Sequence, residues 1–505
     1  MFEAAWAGLV AMAAPQSMFF LCVGVVYGIV IGIIPGLGGI VAMALLLPFT
    51  WGMQFASAMS LLLGAHVATI WGSSVTGILF RVPGAAKSVA LIFDGYPMTL
   101  RGEATRALSA SAMAALMGGV LGAIFLAVSI PIVRPVMMAL GPAEYLMLAL
   151  WGLTIIATFS EGSLFKGLTA AALGVLTAFI GMDIVTGTPR FTFGNLSLLD
   201  GISFPVAMIG LFAISEMIKL VVKGGSLVER SVQNEKSTRR QGIMDALHHW
   251  PLVVRSSLLG VWIGVLPGIG ASIASIATYA QALRTSKSPE TFGKGNVEGV
   301  IAPDASTGAN EGGGLLPTLA LGIPGGEGFA LLLIAFVGLG VVPGPQMLTN
   351  NLDLVYTLVW VVALSSVLTS LIGLAITPWL ARVPTLDSNI IVPVVIAICV
   401  MGAYSDRQEL SDVLVAGTFG LIGYLMDKYR YSRANFVIGM VLAILIERNL
   451  HISISLYGEW FIFKRPVALA MFALLVVTTA WPFYKNWKRD RELRHLAVPR
   501  EGDAK

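Results

Sequence analysis

Apolar segments long enough to cross a lipid bilayer recur along almost the whole of this 505-residue chain. A chain crosses lipid only as helices or as a closed barrel, because its backbone N–H and C=O groups must be hydrogen-bonded within the protein there. Only 12% of the residues are charged, whereas soluble domains carry about 25%. The pattern predicts an all-α integral membrane protein with roughly a dozen transmembrane segments. It excludes a soluble enzyme, a disordered chain and a nucleic-acid-binding protein. The clear segments are 18–34, 55–80, 107–133, 143–159, 164–181, 204–222, 252–266, 354–380, 389–404, 413–426, 434–446 and 466–484, and shorter or glycine-interrupted ones are 37–49, 269–283 and 315–342.

The two halves of the chain share motifs in the same order. GIIPGLGG at 32–39 returns as GVLPGIGA at 264–271, and RVPGAA at 81–86 returns as GIPGGE at 322–327. Glu216 then matches Glu447 in looser surroundings. Because such agreement is hard to obtain by chance, we expect an internal repeat. The predicted division is a first membrane repeat (18–222), a cytoplasmic linker (223–250), a second membrane repeat (251–450), and a final transmembrane helix with a cytoplasmic tail (451–505).

The few charged loops predict how these repeats are oriented. Basic loops of membrane proteins remain in the cytoplasm, which places the linker and the basic loop 427–433 on that side. The corresponding loop of the first repeat, 182–203, holds one basic residue, Arg190, and two acidic ones. It should therefore face outward. Equivalent loops on opposite sides are typical of the inverted-topology repeats of secondary transporters.

Four Pro-Gly pairs interrupt the apolar sequence, two in each half. Proline removes a backbone donor and glycine permits left-handed backbone, so a helix should break at each pair. Such breaks survive in a membrane where they are buried in protein or line a wet cavity, and they suit anion binding by exposed N–H groups. Ordinary proline kinks are the alternative. The pairs are Pro35-Gly36, Pro83-Gly84, Pro267-Gly268 and Pro324-Gly325.

Polar side chains cluster shortly before the second break of each half. Ser73 and Ser74 precede one break, and PDASTGANEGGG at 303–314 precedes the other. Acids at membrane depth are costly and usually functional, so we expect Asp304 and Glu311 to contribute to a site. The alternative is that 303–314 is an aqueous loop. Glu144, Glu216 and Glu447, single acids near predicted helix ends, are interpreted as structural or interfacial.

The motifs IPGLGG (34–39), LPGIGA (266–271), FDGYPM (93–98) and ANEGGGLLPTLALGIPG (309–325) resemble one family closely. It is the large membrane subunit of tripartite tricarboxylate transporters, the TctA type, and the resemblance covers roughly 18–485. It implies a multi-pass permease of the bacterial inner membrane that takes up citrate or related carboxylates by an ion gradient rather than ATP. It also implies a small membrane subunit and a periplasmic solute-binding protein as partners. Ala271 departs from the pattern, since the first repeat has Gly39 there.

The predicted mechanism is import of a small carboxylate held between the two glycine-rich tips near mid-membrane. We expect no cofactor, no nucleic acid, no catalytic residue and no metal other than a coupling Na⁺, with H⁺ as the alternative coupling ion. A channel or transporter without a binding protein remains open, as does an intramembrane enzyme that uses Asp304 or Glu311. The predicted ion-coupling residues are Asp304, Thr307 and Glu311. The predicted substrate-binding residues are Pro35, Gly36, Gly38, Gly39, Ser73, Ser74, Pro267, Gly268, Gly270, Ser272, Asn310, Pro324 and Gly325.

Overall fold

The computed structural model describes residues 1–34, 36–158, 164–183, 186–223, 237–267, 270–380 and 388–479. Across these ranges the chain is helical apart from its turns, connections and one two-residue strand pair, Gly181–Met182 with Pro189–Arg190. Within these ranges, seven helical segments are long and apolar enough to cross a membrane, one of them the continuous stretch Phe204–Val222, and shorter apolar helices accompany them. The prediction of an all-α, multi-pass membrane protein is therefore confirmed.

The helices of the first half lead from the N-terminus to the linker. They are α1 (Phe2–Ala13), α2 (Pro15–Ile33), α3 (Gly39–Leu46), α4 (Phe55–Phe80), α5 (Ile92–Leu100), α6 (Ala104–Met138), α7 (Pro142–Thr158), α8 (Leu164–Ala178), α9 (Phe204–Met208) and α10 (Ser215–Lys223). A 3-10 helix, Ala86–Leu91, precedes α5, and a π-helical turn, Ile209–Ile214, joins α9 to α10.

The second half begins inside the predicted linker. Its helices are α11 (Arg239–His248), α12 (Trp250–Val265), α13 (Gly270–Thr285), α14 (Glu298–Leu321), α15 (Glu327–Gly338), α16 (Pro345–Thr349), α17 (Leu352–Leu380), α18 (Ser388–Arg407), α19 (Leu410–Lys428), α20 (Arg433–Tyr457), α21 (Phe461–Lys464) and α22 (Pro466–Thr479). Residues 224–236 of the linker and the tail from 480 lie outside the described residues.

The same order of helices occurs in both halves. A long helix, a break and a returning helix (α2 with α3, α12 with α13) are followed by a buried helix, α4 or α14, and by a second break. Longer helices then complete each half. The bounds of the predicted domains and the sides of the membrane stay predictions.

The two buried helices, α4 and α14, run antiparallel. His66 of α4 faces Glu311 of α14, with Nε2 and Oε2 3.2 Å apart. About two turns further along α4, the Ser74 hydroxyl donates a 2.8 Å hydrogen bond to the Asp304 carboxylate. From the first contact to the second, the residue numbers rise along α4 and fall along α14. These corresponding helices of the two halves therefore point in opposite directions. This arrangement is the one that an inverted repeat requires.

Glycine permits the closest helix contacts in each half. A Cβ at Gly28 of α2 would lie 2.8 Å from the Cα of Ala65, and one at Gly260 of α12 would lie 2.8 Å from the Cα of Ser306. Real Cβ atoms do not approach that closely. The packing of α2 against α4, and that of α12 against α14, therefore both require a residue without a side chain. Small residues serve helix packing in membranes in this way.

Two segments differ from their sequence-based descriptions. Residues 303–314 all lie within α14 and are buried, so the aqueous-loop alternative is wrong: the surrounding helices shield the polar side chains. An additional helix, α1, precedes the predicted spans and packs on α17, where the Trp360 indole donates a 3.0 Å hydrogen bond to the carbonyl of Ala5.

Candidate functional site

The first break of the first half separates α2 from α3. Gly36 has φ +84, a left-handed backbone that favours glycine, and Gly38 is extended at the N-cap of α3. The amide of Gly36 donates a 3.2 Å hydrogen bond to the carbonyl of Gly84. This bond joins the first break directly to the second one. Pro35 lies outside the described residues.

The matching break of the second half separates α12 from α13. Leu266 is extended at the C-cap of α12, and Gly270 has φ +70 where α13 begins. Pro267 is described, whereas Gly268 and Ile269 lie outside the described residues. The returning helix therefore starts at a glycine in both halves.

The second breaks end α4 and α14 in the same way. Arg81 has φ +57 and Gly322 has φ +69, each at the C-cap of its helix. In the second half, the amide of Gly325 donates a 3.1 Å hydrogen bond to the Thr318 hydroxyl, which satisfies one donor freed by the break. A new helical segment then starts, the 3-10 helix at Ala86 or α15 at Glu327.

Segments from all four breaks meet around one inner cavity of about 170 Å³. Three of its walls are helix starts, those of α3, α13 and α15, so their N-terminal N–H groups lie at the cavity. The lining residues are Gly38, Gly39, Ile40, His66, Ala85, Ala86, Lys87, Gly270, Ala271, Ser272, Asn310, Glu311, Gly326, Glu327, Gly328, Phe329, Ala434 and Ile438.

A wider cavity of about 650 Å³ adjoins the inner one. The residues that line both are Gly38, Ile40, Ala85, Ala86, Ser272, Glu327 and Ala434. Residues of the basic loop 427–433 line the far side of the wider cavity. We call it the vestibule. If that loop is cytoplasmic, as its charge predicts, the vestibule leads from the inner cavity to the cytoplasm.

His66 and Glu311 form a buried polar wall of the inner cavity. Their side chains are 9% and 3% exposed, and Nε2 of His66 lies 3.2 Å from Oε2 of Glu311. The other imidazole nitrogen, Nδ1, is buried without a hydrogen-bond partner among the described residues. The ring edge of Phe329 packs on the imidazole, with the ring centroids 5.9 Å apart.

Lys87 supplies the ammonium group of the inner cavity. It lies in the 3-10 helix after the Pro83-Gly84 break and close enough to Glu311 and Asp304 for its charge to act on both. In the described part of the chain Lys87 has no ion pair or hydrogen bond. The Lys87 side chain and the three helix N-termini are the groups of this lining that favour an anion, whereas Glu311 and Glu327 in the same lining favour a cation.

Some predicted site residues line the two cavities and others lie behind their walls. Gly36, Gly38, Gly39, Gly270, Ser272, Asn310 and Glu311 are lining residues. Asn310 also donates a 3.1 Å hydrogen bond to the carbonyl of Gly260, which ties α14 to α12. The residues that these two cavities do not reach are Ser73, Ser74, Pro267, Asp304, Thr307, Pro324 and Gly325.

The polar side chains behind the cavity wall form hydrogen bonds within their own helix or to a neighbouring helix. Ser73 donates to the carbonyl of Ile70 at 2.9 Å, and Thr307 to that of Asp304 at 3.2 Å. The Ser74 hydroxyl lies 3.0 Å from the carbonyl of Ile70 on its own helix and 2.8 Å from the Asp304 carboxylate on α14. One carboxylate oxygen of Asp304, Oδ2, is buried without a partner among the described residues.

Sequence reasoning missed His66, Lys87 and Glu327 as cavity residues. A signal existed for Lys87, which is the only basic residue between the 83–84 break and Leu100. His66 is a single histidine within a long apolar run, and such a residue is hard to distinguish from one that only packs. Its role emerges through Glu311, which is distant in sequence.

Two ion pairs link the halves near the predicted loops on opposite sides of the membrane. Arg433 lies 2.7 Å from the Glu216 carboxylate, and Arg190 lies 2.7 Å from that of Glu447. Each pair joins an arginine of one half to the glutamate of the other. Glu216 and Arg433 line the vestibule. The structural interpretation of these acids agrees with this geometry, as does that of Glu144, which pairs with Arg465 at 3.0 Å.

The FDGYPM segment also joins the two halves. The Asp94 carboxylate accepts 2.8 Å hydrogen bonds from the amides of Gly295 and Asn296 and from the Tyr279 hydroxyl. Arg101 adds a hydrogen bond to the carbonyl of Gly295. The first half thereby fixes the connection between α13 and α14, two helices that contribute to the inner cavity.

Comparison with known proteins places this architecture in a family. The model of the "Tripartite tricarboxylate transporter TctA family" matches residues 18–438. An "Uncharacterized 52.8 kDa protein in TAR-I ttuC' 3'region" of Agrobacterium vitis is 30% identical over 492 residues, covering 94% of this chain and 95% of that protein. A second protein of that organism, "Uncharacterized protein in TAR-II ttuC' 3'region", is 29% identical over 220 residues, covering 43% of this chain and 91% of its own length. No solved structure matches the chain. With its family motifs at the helix breaks that surround the inner cavity, this multi-pass membrane protein belongs to the tripartite tricarboxylate transporter TctA family, as the membrane component of a transporter with other subunits.

Proposed function

We propose that the chain is the permease subunit of a binding-protein-dependent secondary transporter that imports tricarboxylates or related carboxylates. Its membrane is the inner membrane of a bacterium, and an ion gradient drives uptake. The observation that carries the proposal is the meeting of four helix breaks around one cavity in a chain of this family. Discontinuous helices at a repeat interface are where secondary transporters bind substrate and coupling ion.

The inner cavity has the chemistry that a carboxylate requires. Helices α3, α13 and α15 begin in its wall, and their N-terminal partial positive charges favour an anion. Lys87, Ser272 and Asn310 supply an amine, a hydroxyl and an amide. The vestibule, at about 650 Å³, is within the range of small-molecule sites. A substrate with several carboxylates would reach from one helix start to another.

A coupling cation offsets the charge of such a substrate. Glu311 lies in the cavity wall, and Asp304 and Thr307 lie on the same helix one to two turns away. Buried carboxylates in a membrane need a positive partner. Na⁺ and H⁺ both meet this need.

Alternating access follows from movement of one part of the permease against another. The vestibule is lined by Glu216 and Arg433, and the other cross-half ion pair, Arg190 with Glu447, involves the loop predicted to face outward. In this proposal the two pairs stabilise opposite sides of the transport path.

The other subunits have distinct tasks in this proposal. A periplasmic solute-binding protein delivers the carboxylate, and a small membrane subunit completes the complex. The permease alone then exchanges substrate slowly or not at all, because it lacks the protein that presents the substrate to its outer face.

Uptake by vesicles tests this function. Radiolabelled citrate and a panel of di- and tricarboxylates are offered to proteoliposomes that hold this chain, with and without a small membrane subunit and a solute-binding protein of the same transporter. We expect gradient-driven accumulation of at least one carboxylate only with all three proteins. Equal uptake by the permease alone would support the standalone transporter or channel instead. Absence of carboxylate uptake by the complete, well-folded complex would contradict the proposal.

A further inference from the structure

One group of helices, drawn from both halves, is held together by close backbone contact. Besides the glycine contacts of α2 with α4 and of α12 with α14, a Cβ at Gly118 of α6 would lie 2.9 Å from the Cα of Ala305 of α14. The Ser370 hydroxyl of α17 donates a 2.7 Å hydrogen bond to the carbonyl of Ala112 of α6. We call these helices the core group: α1, α2, α4, α6, α12, α14 and α17.

A second group, also drawn from both halves, has close contacts of its own. A Cβ at Gly174 of α8 would lie 2.8 Å from the carbonyl carbon of Phe436 of α20, and one at Gly423 of α19 would meet the backbone of the π-helical turn before α10. The ion pair of Glu216 with Arg433 joins α10 to α20, and α18 packs on α19. We call α8, α10, α18, α19 and α20, with the π-helical turn, the frame group.

Both cavities lie between the core group and the frame group. The frame group contributes Ala434 and Ile438 of α20 to the inner cavity, and the core group and its returning helices α3, α13 and α15 contribute the rest of the lining. In the vestibule, Pro83 and Ser272 lie on the side of the core group, and Phe212 and Arg433 lie on the side of the frame group. The transport path of the proposed function therefore runs along the boundary between the two groups.

The returning helices α3 and α15 both end at Trp51. Helix α3 continues through the 3-10 helix Leu47–Thr50 into this residue, and a Cβ at Gly338, the last residue of α15, would overlap the indole ring. The indole N–H donates a 2.8 Å hydrogen bond to the carboxylate of Asp406, near the end of α18. This bond ties the far ends of two helices that begin at the inner cavity to the frame group.

Asp406 is itself fixed in place. Its other carboxylate oxygen accepts a hydrogen bond from the Ser203 hydroxyl, and the adjacent Arg407 donates two 3.1 Å hydrogen bonds to backbone carbonyls of the same connection. That connection includes the loop 182–203, which is predicted to face outward. The contact of Trp51 with Asp406 therefore lies on the predicted outer side, whereas the vestibule leads to the opposite side.

We propose that the hydrogen bond from Trp51 to Asp406 is a latch that keeps the permease closed on its outer side while the vestibule is open. This inference rests on the proposed function. Opening toward the outside separates the ends of α3 and α15 from α18, so the latch breaks and re-forms once in each transport cycle. A charge-assisted bond stabilises the closed state more than a neutral one does, and a change in its strength shifts the balance between the two states.

Reversible cross-linking tests whether the latch must open. In a permease without Cys22 and Cys399, Trp51→Cys is combined with Asp406→Cys and joined by a bismaleimide whose spacer a reducing agent cleaves. In the complete transporter, the cross-link should lower carboxylate uptake about tenfold or more, because closure is then permanent, and reduction should restore uptake. Undiminished uptake after complete cross-linking would overturn the inference.

The matched control joins two helices of the core group. The Trp360 indole of α17 donates a 3.0 Å hydrogen bond to the carbonyl of Ala5 of α1, a contact that resembles the latch but does not cross between the groups. Cross-linked Trp360→Cys with Ala5→Cys should therefore retain uptake within about twofold. Equal loss of uptake with both cross-links would overturn the inference, because it would trace the loss to restraint in general.

Labelling from the outer side provides a second test that needs no substrate. A membrane-impermeant maleimide is added outside oriented proteoliposomes of the complete transporter, with a single reporter at Ala271→Cys in the inner cavity. Trp51→Phe keeps the ring but loses the N–H, so the outward-open state should be more populated and labelling about tenfold faster, as expected for a lost hydrogen bond to a carboxylate. Trp360→Phe should change the rate by less than about twofold.

The two tests separate failure of the latch from failure of the proposed function. Unchanged labelling from outside in Trp51→Phe would overturn the latch. If Trp51→Cys with Asp406→Cys does not assemble, this labelling comparison decides alone. Absence of carboxylate uptake by the complete wild-type transporter, without any cross-link, would contradict the proposed function.

Discussion

Gly270 begins α13 with φ +70. This left-handed backbone conformation costs a residue that has a Cβ about 1 kcal/mol, but costs glycine little. Open space surrounds the position, with nothing within 4 Å of an added Cβ. The glycine is therefore required by its backbone angle rather than by crowding. Gly340 offers a matched comparison, because it has φ +77 and equally open surroundings but lies outside the lining of both cavities.

Alanine at these two positions should separate transport from stability. Gly270→Ala shifts the start of a helix that lines the inner cavity, so we expect carboxylate uptake to fall about tenfold, equivalent to about 1.4 kcal/mol. Gly340→Ala carries similar strain and should retain uptake within about twofold. Initial uptake rates, normalised to the amount of folded protein, measure the difference. Equal loss in both variants would mean that Gly270 matters for folding alone.

Helix packing in each half depends on glycine at equivalent positions. Gly28 brings α2 against the backbone of α4, and Gly260 brings α12 against that of α14. The obstructing atoms belong to the backbone, which cannot rotate aside as a flexible side chain would. The high glycine content is thus explained in part by helix contact and in part by the breaks at the cavity.

Valine at Gly28 or Gly260 should lower stability by similar amounts. Overpacking of a tight contact costs typically about 1–3 kcal/mol, and we expect values near the upper end for both. Gly417 of α19, which has nothing within 4 Å of an added Cβ, is the control, and Gly417→Val should change stability by less than about 1 kcal/mol. Reversible unfolding in mild detergent provides the measurement. Unchanged stability in Gly28→Val would show that the two helices separate easily.

The sequence located the helix breaks and the order of the helices better than it located the contacts between them. Proline and glycine change the conformation of their own backbone, so the breaks at Gly36 and Gly270 could be predicted from the local sequence alone. Repeated motifs likewise need no knowledge of packing. The pairing of His66 with Glu311 could not be predicted, because it depends on how two helices more than 200 residues apart cross. Polar character alone also left α14 open to interpretation as a loop.

At the scale of the whole molecule, the two halves are joined by reciprocal ion pairs. Arg433 with Glu216 and Arg190 with Glu447 are partly shielded from solvent, since all four side chains are at most 25% exposed. Shielded pairs interact more strongly than exposed ones, and removal of one partner leaves the other uncompensated. Asp427 and Lys219 extend the pair at the vestibule.

A double-mutant cycle should detect this coupling between halves. Arg433→Gln and Glu216→Gln are expected to show an interaction energy of about 1–3 kcal/mol in unfolding experiments. Arg101 with Glu103, 3.7 Å apart and with Arg101 48% exposed, is the control pair and should give less than about 1 kcal/mol. A cycle for Arg433 and Glu216 that closes at zero would exclude a stabilising role for the contact.

If a carboxylate binds in the cavity where the four breaks meet, it should protect a cysteine placed in that cavity from chemical labelling. Ser272 lines both cavities near the start of α13, whereas Thr285, at the other end of that helix, is exposed. Cys22 is first replaced by serine and Cys399 by alanine, and a single cysteine is then placed at each of these positions in turn. Their rates of reaction with a small maleimide are then compared in transport-active proteoliposomes.

A transported carboxylate should slow labelling of Ser272→Cys at least tenfold and leave labelling of Thr285→Cys unchanged. The concentration that gives half of this protection should match the one that gives half-maximal uptake. Equal labelling of Ser272→Cys with and without saturating substrate, in vesicles that still transport, would show that the carboxylate does not bind in this cavity.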